Sequence, residues 1–308
     1  MITFLKNEKG LVHCETREPN CWINVTEPTE DEKRYLIQDL KIPEAYYNDI
    51  EDVDERPRIE IDEGWYLVLM RIPYKSDNIK IPFSTVPLGI IFKNDIYVSI
   101  CFYQTEMIPD FIAYTVRKNI IKRNNFDITL RLFLSSSVWF QKYLKQINQN
   151  IRLAENKLEK SIRNEDLQTL LQLEKCLVYF TTSLKGNNNI INRVKNIKEH
   201  KDSYDSELTE DVDIELKQAL ETTNIYSDIL SGMMDAYASV ISNNINMIMK
   251  QLTLISIILM IPTLIASLYG MNVPNAFENK PFGFLIILVF SFSISLLAVL
   301  FFVKRRWF

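Results

Sequence analysis

Two apolar runs close to the end of this chain, at 245–269 and 282–303, restrict its fold more than any other feature, because together they contain one charged residue, Lys250. A helix rises about 1.5 Å per residue, so each run reaches the roughly 30 Å of bilayer hydrocarbon with residues to spare. Both read as transmembrane helices. The stretch between them, 273–281, carries Asn275, Glu278, Lys280 and two prolines, which suits a short polar hairpin outside the bilayer. Lys304, Arg305 and Arg306 follow the second run, Lys250 opens the first, and the loop is close to neutral. That asymmetry predicts an inner, cytoplasmic membrane protein with both termini in the cytoplasm.

Up to about residue 240 the sequence is charged and mixed, as expected of a soluble body. Residues 1–9 lack the apolar core of a signal peptide, so none is expected. Cys14, Cys21, Cys101 and Cys176 show no CxxC spacing and read as free buried thiols. His13 beside Cys14 falls short of four tetrahedral ligands. No P-loop, dinucleotide turn, HExxH or nucleophile elbow is present, so an enzyme is not expected. The net charge of −4 disfavours nucleic acid, and Arg117, Lys118, Lys122 and Arg123 read as an exposed helix end.

Within the body, short β-branched and aromatic runs at 2–5, 22–25, 58–61, 65–72, 86–92 and 96–102 predict a mixed sheet. Thr29 with Glu32 three positions on predicts a capping box that opens a helix toward Leu40, and Pro43 begins another. After Pro109 helical spacing takes over, as in Leu144, Ile147, Ile151 and Leu158. Breaks are expected at 185–189 and 200–205, giving a hairpin and a final helix from about 208 to 269. That helix is long enough to form a rod of about 90 Å. The expected division is a mixed α/β domain at 1–125, a helical region and stalk at 126–244, the first span at 245–269, a loop at 270–281, the second span at 282–303 and a basic tail at 304–308.

Inside the first span, helical spacing aligns Asn246, Met249, Thr253, Ser256, Met260, Thr263 and Ser267 on one face, while the other faces are Ile and Leu. Such a stripe either packs against a neighbouring helix or lines water. Two spans enclose nothing alone, so a water-lining role demands several copies in a ring. Met249, Leu252 and Met260 would then form apolar rings able to block ions by dewetting.

The outer end of the span reads Tyr269-Gly270-Met271-Asn272, followed by a short loop, a second span and Lys304-Arg305-Arg306-Trp307-Phe308. In this position the signature resembles that of the CorA family of magnesium channels. The resemblance also takes in Arg56-Pro57 and the order of α/β domain, stalk helix and two spans. It implies an α+β cytoplasmic domain, a long stalk helix and two C-terminal transmembrane helices in a funnel-shaped homopentamer. It implies a selectivity filter at Tyr269, Gly270, Met271 and Asn272, and pore-lining positions at Asn246, Met249, Leu252, Met260, Thr263 and Asn272. Mg2+ would be both the transported ion and a regulator bound at Asp235, whose nearest partner acid is Asp77. An Asn272 ring suits magnesium, because an ion that sheds water reluctantly is best met by neutral oxygens that hydrogen-bond its hydration shell. Gly270 is expected to let the backbone turn sharply at the mouth, and Tyr269 to anchor the interface.

The seven acids of 202–215 either concentrate cations near the membrane or form a solvated face at a helix start. The loop departs from the common acidic family pattern, with Val273-Pro274-Asn275-Ala276, which leaves selectivity among magnesium, cobalt and nickel open. Retention of Met271 argues against the zinc-transporting branch. A membrane-anchored receptor or scaffold is the alternative from a different class.

Overall fold

A computed structural model describes residues 1–76, 81–121, 123–160, 163–196, 205–271 and 281–304. The chain divides into two compact units, Met1–Gly232 and Met233–Phe308. The first is organised on seven strands: β1 (Ile2–Glu8), β2 (Gly10–Cys14), β3 (Trp22–Thr26), β4 (Arg58–Asp62), β5 (Trp65–Lys75), β6 (Phe83–Lys93) and β7 (Ile96–Cys101). Their order is β2-β1-β3-β7-β6-β5-β4, with β3 and β7 parallel and every other neighbour antiparallel. The β4–β5 hairpin turns on Glu63 and Gly64, both at positive φ, which matches the twist of the flanking strands.

Side chains alternate across the sheet, so neighbouring residues of β5 serve different layers. Leu67 and Leu69 join Ile23, Val25, Ile91, Val98 and Ile100 under α1 (Glu30–Arg34), a π-helical turn at Tyr35–Asp39, and α2 (Glu44–Glu51). Val68 and Met70 are as fully buried, on the face covered by α4 (Asn125–Lys160) and α5 (Asn164–Asn196). Cover on both faces is why β5 and β6 read as continuous apolar runs. At Gly89 of β6 a Cβ would lie 2.1 Å from Ile50 Cδ1, so α2 approaches the sheet where only glycine leaves room. A buried polar chain links the parallel pair: Trp22 Nε1 donates to Ser99 Oγ at 2.7 Å, which donates to Asn24 Oδ1 at 2.9 Å.

The capping box is present, since Glu32 N–H donates to Thr29 Oγ1 at 3.3 Å and Thr29 N–H to Glu32 Oε2 at 2.9 Å. The helical half adds α3 (Met107–Arg117), α4 and α5, which share an edge-to-face contact of Phe140 with Phe180, and α6 (Ser206–Tyr269). Leu208, Val212, Leu216, Ala219 and Thr223 bury one face of the start of α6. The second unit contains the rest of α6 and α7 (Gly283–Lys304), the two described helices long and apolar enough to cross a membrane.

Three expectations need correction. β2 carried no recognised signal, because Gly-Leu-Val-His-Cys is too short and mixed for a period-two pattern. The strand expected at 65–72 runs on through Pro73 to Lys75, and the one expected at 86–92, which contains Pro87, begins earlier, at Phe83. Pairing with β4 stops at Leu69 and pairing with β7 stops at Gly89, so neither proline removes a donor that a neighbouring strand needs. Finally, no break occurs at 185–189: α5 continues, and the helices part instead between Lys160 and Asn164. Gly186 and Asn187 are contacts with the sheet rather than punctuation. A Cβ on Gly186 would meet Pro57 Cγ at 2.5 Å. Asn187 Oδ1 accepts from Arg71 N–H at 2.9 Å and its Nδ2 donates to the Arg71 carbonyl at 2.7 Å. Arg71 faces Pro87 in the β5–β6 register, so its own amide points to the side that β4 has vacated. The expected break at 200–205 falls mainly on 200–204, outside the described residues.

Candidate functional site

The second unit tests what the polar stripe packs against. α7 turns its small residues inward: Gly283, Ser291 and Ser295 are buried, whereas Phe284, Leu288, Phe292 and Leu296 are exposed. On α6 from residue 251 on, the part-buried positions are Leu254, Ile257, Ile258, Ile261, Pro262, Ile265 and Tyr269, and an apolar cleft lined by Ile265, Leu268, Tyr269, Ile286, Ile287 and Phe290 continues the contact. Pro262 lies inside α6 and has no N–H to offer the carbonyl four residues back, that of Ile258. Ser295 Oγ sits 3.5 Å from that carbonyl while donating to Ser291 O at 3.1 Å. Thus the hydroxyl that reaches from helix to helix is that of Ser295 on α7 rather than one of the α6 stripe.

Asn246, Met249, Thr253, Ser256, Met260, Thr263 and Ser267 are all exposed. At about 100° per residue their mean direction is roughly opposite that of Leu254, Ile258, Ile261 and Ile265. The stripe is therefore not the face that α6 packs against α7, although its first residues, Asn246, Met249 and Thr253, border a cleft that Phe302 of α7 also lines. Its hydroxyls are oriented by the helix itself: Thr253 Oγ1 donates to Met249 O at 2.8 Å, Ser256 Oγ to Leu252 O at 2.9 Å, and Thr263 Oγ1 to Leu259 O at 2.8 Å. With each proton committed to a backbone carbonyl, each hydroxyl offers its outer side only lone pairs. Such a surface accepts hydrogen bonds, which is what the water protons around a cation require. Leu252, also exposed, lies roughly 80° round the helix from Met260.

At the end of α6, Tyr269 lines the apolar cleft and Met271 is exposed. Gly270 N–H donates to Ala266 O at 2.9 Å, and its φ is not left-handed. A Cβ there would stand 3.3 Å from the same carbonyl oxygen. Asn272 and Asp77 lie outside the described residues, as does the loop at 273–280. Asp235 is exposed on α6, and among the described residues no three His, Cys, Asp or Glu side chains cluster to hold a metal ion.

The acidic stretch at the start of α6 has structural work. Asp205 Oδ1 accepts from Glu207 N–H at 3.0 Å and caps the helix, Glu215 accepts from Gln141, and Asp213 accepts from Lys195 at 2.8 Å and Lys217 at 2.9 Å. Burial pushes the Asp213 carboxyl up, but the two ammonium groups outweigh it and hold it below the usual carboxylate range.

The family model described as CorA-like Mg2+ transporter protein matches residues 18–306. The cobalt/magnesium transport protein CorA of Methanocaldococcus jannaschii is 26% identical over 298 residues, covering 93% of this chain and 90% of its own. The protein of the same name from Thermotoga maritima is 26% identical over 309 residues, covering 93% and 83%. The complete structure of the M. jannaschii CorA magnesium transporter superposes with a TM-score of 0.85 at 23% identity, over 100% of this chain and 99% of that one.

Proposed function

The chain belongs to the CorA-like Mg2+ transporter family, and from that premise we propose that it conducts Mg2+ into the cytoplasm through a ring of identical subunits. Family membership makes it a divalent cation transporter and not an enzyme. In the proposed assembly, a homopentamer in the inner membrane with both termini cytoplasmic, the stripe from Asn246 to Ser267 faces the axis. Tyr269, Gly270, Met271 and Asn272 form the outer mouth, where neutral oxygens meet the hydrated ion. Met249, Leu252 and Met260 supply apolar rings that close the path by dewetting. A membrane potential favours inward movement by about 4.6 kcal/mol for a divalent ion at 100 mV. Mg2+ on the cytoplasmic side, held between subunits near Asp235 and Asp77, keeps the ring closed, and its loss loosens the contacts. Zinc, cobalt and nickel are competing cargoes.

The observation that carries this reading is that the stripe lies opposite the α7 contact and presents hydroxyl oxygens with their protons already committed inward. Uptake of Mg2+ into proteoliposomes with an imposed inside-negative potential tests it. Uptake blocked by cobalt hexaammine, a mimic of hydrated magnesium, is the expected result. Folded, ring-assembled protein without flux would favour the scaffold, and Zn2+ uptake far above Mg2+ would favour a zinc transporter.

A further inference from the structure

At the end of the second unit marked by Lys250, α6 and Phe302 of α7 line an open cleft of about 770 Å³, within the roughly 300–1,000 Å³ typical of small-ligand sites. Its wall has two characters. Asn243, Asn246, Lys250, Gln251 and Thr253 are polar, whereas Met247, Met249, Leu254, Ile257 and Phe302 are apolar, and Asn246, Met249 and Thr253 are also the first residues of the stripe. Asn243 and Lys250 are seven residues apart, two helical turns on one flank. Among the described residues, the side chains of Asn243, Lys250 and Gln251 have no hydrogen bond or ion pair. Nor does the sequence supply a counter-charge, because 236–271 contains no Asp or Glu and α7 contains none either. α7 ends on a second cation, Lys304, two residues beyond Phe302.

An ammonium without an anion, set above an apolar floor where a hydrocarbon layer begins, matches one class of ligand. We propose that this cleft binds the headgroup phosphate of an anionic phospholipid. Lys250 pairs with the phosphodiester, the amide groups of Asn243 and Gln251 donate to its oxygens, and an acyl chain descends along Leu254, Ile257 and Phe302. A zwitterionic choline headgroup would bring a second cation beside Lys250 and binds less well. The proposal rests on α6 and α7 spanning a membrane; the cleft borders the stripe at Asn246, Met249 and Thr253, but the groups assigned to the lipid, Asn243, Lys250 and Gln251, are not stripe residues.

Full-length protein in bilayers of mixed phosphatidylglycerol and phosphatidylcholine, released into native mass spectrometry, tests it. Phosphatidylglycerol retained on the protein should exceed its bulk share by about five-fold, from one basic contact near the surface. Lys250→Gln should abolish the enrichment, Lys250→Arg should keep it, and added inorganic phosphate should leave it intact. If Lys250→Gln does not assemble, the pair Asn243→Ala and Gln251→Ala should reduce enrichment at least two-fold. No enrichment in the wild type, wild-type enrichment in Lys250→Gln or in the Asn243→Ala and Gln251→Ala pair, or displacement by inorganic phosphate overturns the proposal. Mg2+ uptake measured on the same preparation reports separately on the channel reading.

Discussion

Ser295 on α7 places its hydroxyl 3.5 Å from the carbonyl of Ile258 on α6, the acceptor that Pro262 leaves without a helical donor. The contact is long and shared with Ser291 O, so its contribution is small, about 0.6 kcal/mol by comparison with polar contacts between membrane helices. Ser295→Ala should therefore destabilise the folded protein by about that amount. In a Pro262→Ala background, where Ile258 O regains an N–H, the same change should have almost no effect. A double-mutant cycle of unfolding in mixed detergent micelles measures the coupling, and strict additivity would refute it.

The hydroxyl stripe predicts a rate effect confined to one side of α6. Thr253→Val keeps the shape of the side chain and removes its oxygen, and Ser256→Ala does the same on a smaller scale. Loss of one outward acceptor should raise the barrier for a hydrated ion by about 1 kcal/mol, or roughly five-fold in uptake rate. Ile255→Val, on a different face of the same turn, should leave uptake within a factor of about two. Uptake into proteoliposomes separates the cases, and equal rates for all three variants would remove the stripe from the pathway.

Much of this architecture was legible because it is carried by local patterns. Thr29 and Glu32 form their capping box, Pro43 precedes α2, and the two apolar runs become the membrane-length helices of the second unit. What escaped depends on residues distant in sequence. Gly186 and Asn187 resemble a helix breaker until Pro57 and the vacant edge of β5 are in view. Ser291 and Ser295 are plain small residues in an apolar run until α6 lies against them. The acids at the start of α6 read as free charge until Lys195, Gln141 and Arg123 are found beside them. Of the candidate site, the face of the stripe could be read from spacing alone, but its orientation away from α7 could not.

The α5–sheet contact yields a stability prediction. Asn187→Ala leaves the half-buried Arg71 N–H and carbonyl without their partner, which should cost about 1–2 kcal/mol. Gly186→Ala drives a Cβ into the Pro57 ring, whose atoms cannot swing aside, and should cost roughly 1–3 kcal/mol. Adding Pro57→Ala should recover most of the Gly186→Ala loss. Thermal unfolding of the purified protein provides the check, and a Gly186→Ala variant as stable as wild type would show that the gap closes without strain.

Asp213 makes stability depend on pH in a definite direction. Its carboxyl titrates below the usual range when folded, so its contribution is complete above the unfolded value of about 3.9 and is lost as pH falls through the lower folded value. Lys217 is largely exposed and screened, so Lys195 carries most of the effect, about 1 kcal/mol. Asp213→Asn should lower the Tm at pH 7. On acidification toward pH 2 its Tm should fall less than that of the wild type. Parallel Tm–pH curves for the two proteins would exclude this ion pair as a source of acid sensitivity.

Asp235 yields the sharpest test of regulation. It is exposed on α6 and, among the described residues, has no pair of acidic, His or Cys side chains to complete a metal site within its own chain. Magnesium needs near-octahedral oxygen ligands and keeps most of its water, so in the proposed assembly Asp235 would hold it only together with groups of a neighbouring copy, Asp77 among them. Protection of the assembled protein against protease should therefore increase with Mg2+. Asp235→Ala should shift the half-protecting concentration upward by roughly ten-fold, corresponding to 1.4 kcal/mol of lost coupling. If wild type and Asp235→Ala are protected at the same Mg2+ concentration, the regulatory ion is bound elsewhere.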